Sequence, residues 1–200
     1  MRTTLLHVTF ALAAVGLIPA ARAVTPAISP LPDDPACTDV DRKFMARAIE
    51  LVRESVAKGQ HPFSAVLVKD GKVLAEFQNS EDTTHDVTKH AETGLISLIT
   101  PKIDRATLAD CTLYTSTEPC TMCCGAIRFA GIGRVVYGVT ETQMLLVMGL
   151  PPDAKPLASR EIFARTAPEV KVLGPLMEAE GLPFHVEFWS KHPIFARRNP

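Results

Sequence analysis

A chain of 200 residues, 46% hydrophobic and 22% charged with a formal net charge of −1, is long enough for one compact domain with a sizeable core. Beyond the N-terminus no stretch is long and apolar enough to span a bilayer. The near-neutral balance argues against a protein that grips folded nucleic acid through many phosphates, because such proteins carry a basic surplus.

The N-terminus has a basic start at Arg2, an apolar middle, "TLLHVTFALAAVGLIPA", and a small-x-small end, "ARA". These are the three parts of a secretory signal peptide over residues 1–23, with cleavage expected after Ala23. Losing Arg2 and Arg22 with that leader leaves 19 basic residues against 22 acidic ones, a net charge of −3. A periplasmic or secreted location is therefore expected, with the cytoplasm as the alternative if the leader is only an extension. No membrane association is expected after cleavage.

Residues 24–37, "VTPAISPLPDDPAC", read as a proline-rich lead. A helix begins near Thr38 or Asp39, with Phe44, Ile49, Leu51, Val52 and Val56 as its apolar stripe and Gly59 ending it. The next two apolar runs, in "FSAVLVKDGKVLAEFQN" (63–79), surround "KDGK" and predict a β-hairpin. A polar loop, "SEDTTHDVT", leads to a second helix from about Lys89 to Leu98. "CTLYTST" (111–117) reads as a buried strand, a third helix opens at Pro119, and "RVVYGV" (134–139) is another strand. That strand–helix–strand alternation implies a sheet covered by helices. After Thr140 the pattern is weaker. "ETQMLLVMG" and "SREIFART" suggest helices, "EVKVLGP" a strand and "EGLPFHVEFWS" a closing helix. Phe188 and Trp189 in that last segment either lie over a site as a stacking lid or clamp the helix to the core. Residues 38–200 thus form one domain, with a C-terminal extension from about 141.

Three of the five cysteines crowd into "EPCTMCCGA" (118–126). Thiolates ligate metals, attack carbonyls or pair as disulfides, so their neighbours decide among these roles. Pro119 suits the first helical position, because its missing N–H would be unpaired there anyway. Cys120 and Cys123 then share a face on the first turn, while Cys124 is rotated toward the core. Two sulfurs need a third partner, and His90 in "KHAE" opens the second helix. Two thiolates and an imidazole suit zinc, with one tetrahedral position left open, as in catalytic rather than structural sites. Glu92, two residues after His90, is placed to move protons beside the ion.

"HAE" followed by "PCTMC" resembles the zinc-dependent cytidine/deoxycytidylate deaminase superfamily. The likeness extends through "HPFSAVLVKDGKVLAEFQN", "TLYTSTEPCTMCCGAI" and "AGIGRVVYG". It covers about residues 40–140 and is closest to the branch of guanine, cytosine and tRNA adenosine deaminases. The resemblance implies a three-layer α/β/α cytidine-deaminase-like fold with a central, mostly five-stranded mixed sheet. It implies one Zn2+ per chain on His90, Cys120 and Cys123, Glu92 as proton shuttle, and substrate contacts from the Asn79 side chain and the Ala91 backbone. It also implies a homodimer and hydrolytic deamination of a free nucleobase or nucleoside, guanine- or cytosine-type, with release of ammonia. A tRNA adenosine deaminase and a non-catalytic zinc-stabilised domain are the alternatives. The acidic mature charge disfavours nucleic acid as partner. His61 and Ser64 stand where guanine deaminases often have glycines, a departure that leaves guanine open. In an oxidising compartment Cys37 and Cys111 are candidates for a disulfide.

Overall fold

The computed structural model describes residues 28–150, 156–166 and 169–192. The expected leader, the first residues of the proline-rich lead and the extreme C-terminus lie outside them. Among the described residues no helix is long and apolar enough to cross a membrane.

Helix α1 spans Asp39–Ala57 and starts on a reciprocal cap: the Thr38 hydroxyl accepts from the Asp41 N–H while the Asp41 carboxylate accepts from the Thr38 N–H. The stripe expected from the spacing is buried except for Val56, which is only partly covered near the helix end, and Met45 and Ala48 add to it. β1 (Ser64–Lys69) and β2 (Lys72–Gln78) form the predicted hairpin. Asp70 and Gly71 turn it at φ 49° and 72°, the left-handed pair that a two-residue hairpin requires.

The remaining elements follow as α2 (Glu81–Thr84), α3 (Ala91–Ile99), α4 (Arg105–Ala109), β3 (Thr112–Thr117), α5 (Thr121–Ala130) and β4 (Arg134–Val139). They are completed by α6 (Glu141–Val147), α7 (Ser159–Ala164), β5 (Lys171–Leu173) and α8 (Glu178–Lys191). The helices α2 and α4 are new relative to the sequence reading. With four and five residues they are too short for a helical period to register. The third helix also starts later than expected. Cys120 is its N-cap and Pro119 precedes the cap, so the proline shapes the approach rather than the first turn.

The sheet is five-stranded and mixed, in the order β2-β1-β3-β4-β5, with β1 antiparallel to both neighbours and β3, β4 and β5 parallel. Alternate residues serve opposite faces. Ala65, Leu67, Leu113, Val135 and Val172 pack on α3, α5 and Phe163 of α7. Their neighbours Val66, Val68, Tyr114, Val136 and Leu173 pack on α1, Leu176 and Phe184. The result is the three-layer α/β/α arrangement expected, and residues after 140 supply its fifth strand and part of both helical layers.

Cys37 and Cys111 are free, not bonded to each other. The sheet separates them. Cys111 belongs to the α3/α5 face and its thiol donates to the Thr107 carbonyl, while Cys37 packs on the α1 face.

Candidate metal centre

Two helix N-termini meet at one end of β3. His90 is the N-cap of α3 and Cys120 the N-cap of α5, and both have extended backbones (φ −61°, ψ 163° and φ −66°, ψ 170°). That conformation throws each side chain past the start of its helix. In both cases the side chain leaves the capping role unfilled and points to the other helix instead. α3 comes this close to the sheet because of Gly94, where a Cβ would overlap the ring of Phe77.

His90 Nδ1 lies 3.6 Å from Cys120 Sγ and 3.6 Å from Cys123 Sγ, and the sulfurs are 3.5 Å apart. These three atoms form a group able to hold a metal ion. A tetrahedral zinc with bonds of about 2.3 Å to sulfur and about 2.05 Å to nitrogen would separate the sulfurs by about 3.8 Å and each sulfur from nitrogen by about 3.6 Å. The donor set and spacing therefore fit zinc. The charge state is prepared as well. The Cys123 thiol draws the Cys120 pKa down to about 4 despite burial, with His90 assisting. Its own pKa is pushed up by the neighbouring sulfur and by burial. The pair thus holds one proton, which a cation would displace.

Glu92 is buried, 6% exposed. Its Oε1 accepts from the Thr115 hydroxyl at 3.0 Å, and its Oε2 lies 3.4 Å from Cys123 Sγ. Burial first, then the Cys120 sulfur, raises its pKa above the ordinary carboxylate range. Cys124 points into the core as its rotation from Cys123 implied, and its thiol donates to the Pro119 carbonyl.

A small cavity of about 60 Å³ opens at this centre, lined by Phe63, His90, Glu92, Thr117, Glu118, Cys120, Glu141 and Met144. Asn79 and Ala91 are not among its lining residues. Ala91 is fully buried at the first position of α3. Asn79 borders a separate open groove with Gln78 and Ser80. Its Oδ1 accepts from the Glu81 N–H at 3.0 Å, which leaves Nδ2 buried with no partner among the described residues. An unmet buried donor of this kind carries a desolvation cost that a ligand oxygen would remove.

Three polar cavity residues, with apolar Met144, escaped the sequence reading. Glu118 accepts from the Ser159 N–H and hydroxyl at 2.9 and 2.7 Å and from the Glu141 N–H at 3.2 Å, tying α6 and α7 to the centre. The Glu141 carboxylate has no hydrogen-bond partner among the described residues, and burial pushes its pKa up to about 7. Thr117 is set by fully buried His185, whose pKa burial holds down to about 3. The Trp189 indole N–H approaches His185 Nδ1 at 3.4 Å, so neutral His185 donates from Nε2 to the Thr117 hydroxyl. The only sequence signal for Glu118 was its place next to Pro119. Glu141 and Thr117 had none, because their relevance depends on which elements meet. Phe188 and Trp189 are 4% and 3% exposed and pack on His61 and Phe63, so they clamp α8 and form no lid.

Comparison with known proteins gives a consistent result. The family model described as "Cytidine and deoxycytidylate deaminase zinc-binding region" matches residues 38–139. A probable cytosine deaminase of Schizosaccharomyces pombe is 34% identical over 155 residues, covering 76% of this chain and 94% of that protein. A guanine deaminase of Bacillus subtilis is 45% identical over 100 residues, 50% of this chain and 64% of the relative. A tRNA-specific adenosine deaminase of Agrobacterium fabrum is 39% identical over 98 residues, 49% and 64% of the two chains. Among solved structures, guanine deaminase from Nitrosomonas europaea superposes with a TM-score of 0.62 at 25% identity, covering 73% of this chain and 82% of that one.

Proposed function

The chain belongs to the cytidine and deoxycytidylate deaminase family, and we propose that it hydrolytically deaminates a free nucleobase or nucleoside of guanine or cytosine type. The observation that carries this reading is the convergence of one imidazole and two sulfurs beside a buried carboxylate, with His90, Cys120 and Glu92 lining one small cavity.

His90, Cys120 and Cys123 hold zinc in this reading, and zinc there supplies Lewis acidity toward water. Glu92 does the proton work. Thr115 fixes Oε1, and with Cys123 a thiolate on zinc Oε2 is the atom left to take a proton from water. The same atom delivers that proton to a ring nitrogen of the base, then takes the proton left on the newly added hydroxyl and passes it to the departing amine. A C–O bond forms, the C–N bond breaks, and ammonia leaves. The raised pKa of Glu92 suits this exchange, since the carboxyl must hold and release a proton near neutral pH.

Phe63 and Met144 give the cavity apolar walls against which a ring can lie. The unmet Nδ2 donor of Asn79 supplies a contact for a substrate oxygen or ring nitrogen acceptor. Glu141 supplies an acceptor for a substrate N–H. The acidic charge expected after removal of the leader supports a small-molecule substrate over tRNA. Export follows from the same leader pattern, and a homodimer from the family resemblance.

Ammonia release by purified protein should be measured against guanine, cytosine, adenine, their nucleosides and a tRNA anticodon stem. Turnover is expected with a guanine- or cytosine-type base or nucleoside. Turnover confined to the RNA would overturn the substrate class, and none with any of them would overturn the deaminase reading.

A further inference from the structure

We propose that Glu81 is an outer positioning residue of the metal centre: it fixes which nitrogen His90 presents to the sulfurs, and His61 holds it in place. The inference rests on His90, Cys120 and Cys123 being the zinc ligands.

A neutral imidazole has one lone-pair nitrogen and one N–H. Nδ1 of His90 is the atom at 3.6 Å from both sulfurs, so with zinc on that triad Nδ1 carries the lone pair and the proton sits on Nε2. Nε2 faces Glu81, with Oε2 at 3.8 Å, an electrostatic contact that favours the proton on that nitrogen. Carboxylates behind a metal-binding imidazole act in this way: they fix tautomer and ring orientation and make the ligating nitrogen more basic.

Glu81 is itself held from two sides. The Asn79 side chain accepts its backbone N–H, and the same Oε2 lies 3.8 Å from His61 Nδ1. The other nitrogen of His61 faces Asp82 Oδ2 at 3.3 Å. His61 is gripped in turn by the aromatic clamp of α8, with ring centroids 5.5 Å from Phe188 and 5.3 Å from Trp189. A continuous chain of contacts therefore runs from α8 through His61 and Glu81 to His90. Packing does not explain α2, which buries none of its residues. What that one turn of helix accomplishes is to set Glu81 between two imidazoles, with Asp82 against the other nitrogen of His61. It also gives a use to His61, a departure from guanine deaminases that the deamination chemistry leaves unexplained.

The test compares wild type, Glu81→Ala and Glu81→Gln by zinc affinity in chelator competition, by the absorption spectrum of the cobalt(II)-loaded protein, and by apo-protein melting. Glu81→Ala should bind zinc about 10- to 100-fold more weakly with a shifted cobalt spectrum, while apo melting stays unchanged. Glu81→Gln should recover most of the affinity, because its amide oxygen keeps a partial negative charge toward the Nε2 proton. Zinc binding by Glu81→Ala as tight as wild type would overturn the positioning role. So would a Glu81→Gln protein as weak as Glu81→Ala. A wild type that takes up no zinc would instead overturn the metal centre itself, and this inference with it.

Discussion

Two buried carboxylates on opposite faces of the sheet have reached opposite states. Asp41, 2% exposed, receives the two terminal guanidinium nitrogens of Arg134 at 2.7 and 2.9 Å, the Tyr114 hydroxyl at 2.8 Å and the cap donors of Thr38. Burial opposes its ionisation, yet these bonds outweigh it and hold the pKa well below the usual carboxylate range. Glu92 is about as deeply buried but is met by the Thr115 hydroxyl and the Cys123 thiol rather than by a cation, so burial prevails and its pKa rises. A carboxylate with every lone pair engaged is a fixed anion that joins elements. One without a cationic partner on a cavity is costly to keep charged, and that cost suits it to the proton exchange proposed for Glu92.

The sharpest way to test this contrast is to neutralise each acid. Glu92→Gln should keep its zinc, measured by metal analysis, and lose about 10²- to 10⁴-fold in kcat/KM for ammonia release. Its urea midpoint should not fall, because no satisfied anion is removed. Normal turnover in this variant would end the shuttle assignment.

Asp41→Asn should behave in the opposite sense. Breaking the pair strands a half-buried guanidinium and is expected to lower unfolding free energy by about 2–4 kcal/mol in urea titrations, with kcat/KM retained. The two centres would not be separable if activity fell with stability at temperatures where the variant is folded.

Acid sharpens the same contrast. The folded pKa of Asp41 lies below its unfolded value of 3.8. Its stabilisation is therefore present above that value and is lost as pH falls through the folded one. Stability measured downward from about pH 5 should decline more steeply in wild type than in Asp41→Asn. Parallel curves would remove Asp41 from the acid response.

The smallest effects concern Asn79, which borders the separate groove outside the cavity. Asn79→Ala should raise KM more than it lowers kcat, by about three- to tenfold, the worth of one hydrogen bond. Unchanged kinetics would leave the buried Nδ2 without a substrate role.

Much of the centre was legible in the chain because helix geometry is local. Three residues of separation put Cys120 and Cys123 on one turn, and the next residue had to face the core whatever the fold. The hairpin turn at Asp70–Gly71 and the stripe of α1 are equally local, and both stand where the spacing put them. The start of α5 was one step less so, since Pro119 can precede a cap as readily as follow one.

The remainder required the tertiary structure. His90 and Cys120 lie 30 residues apart, and sheet register with the glycine contact at Phe77 decides that they meet. The same is true of Glu118 with Ser159, of Glu141 at the cavity wall, and of His61 with Glu81 and His90. The sequence by itself determined which donor atoms share a helix turn, because backbone geometry repeats every few residues. Only the packed sheet and helices decided which of those turns face each other and which carboxylate is left without partners, because burial and hydrogen bonding are properties of the whole assembly of elements.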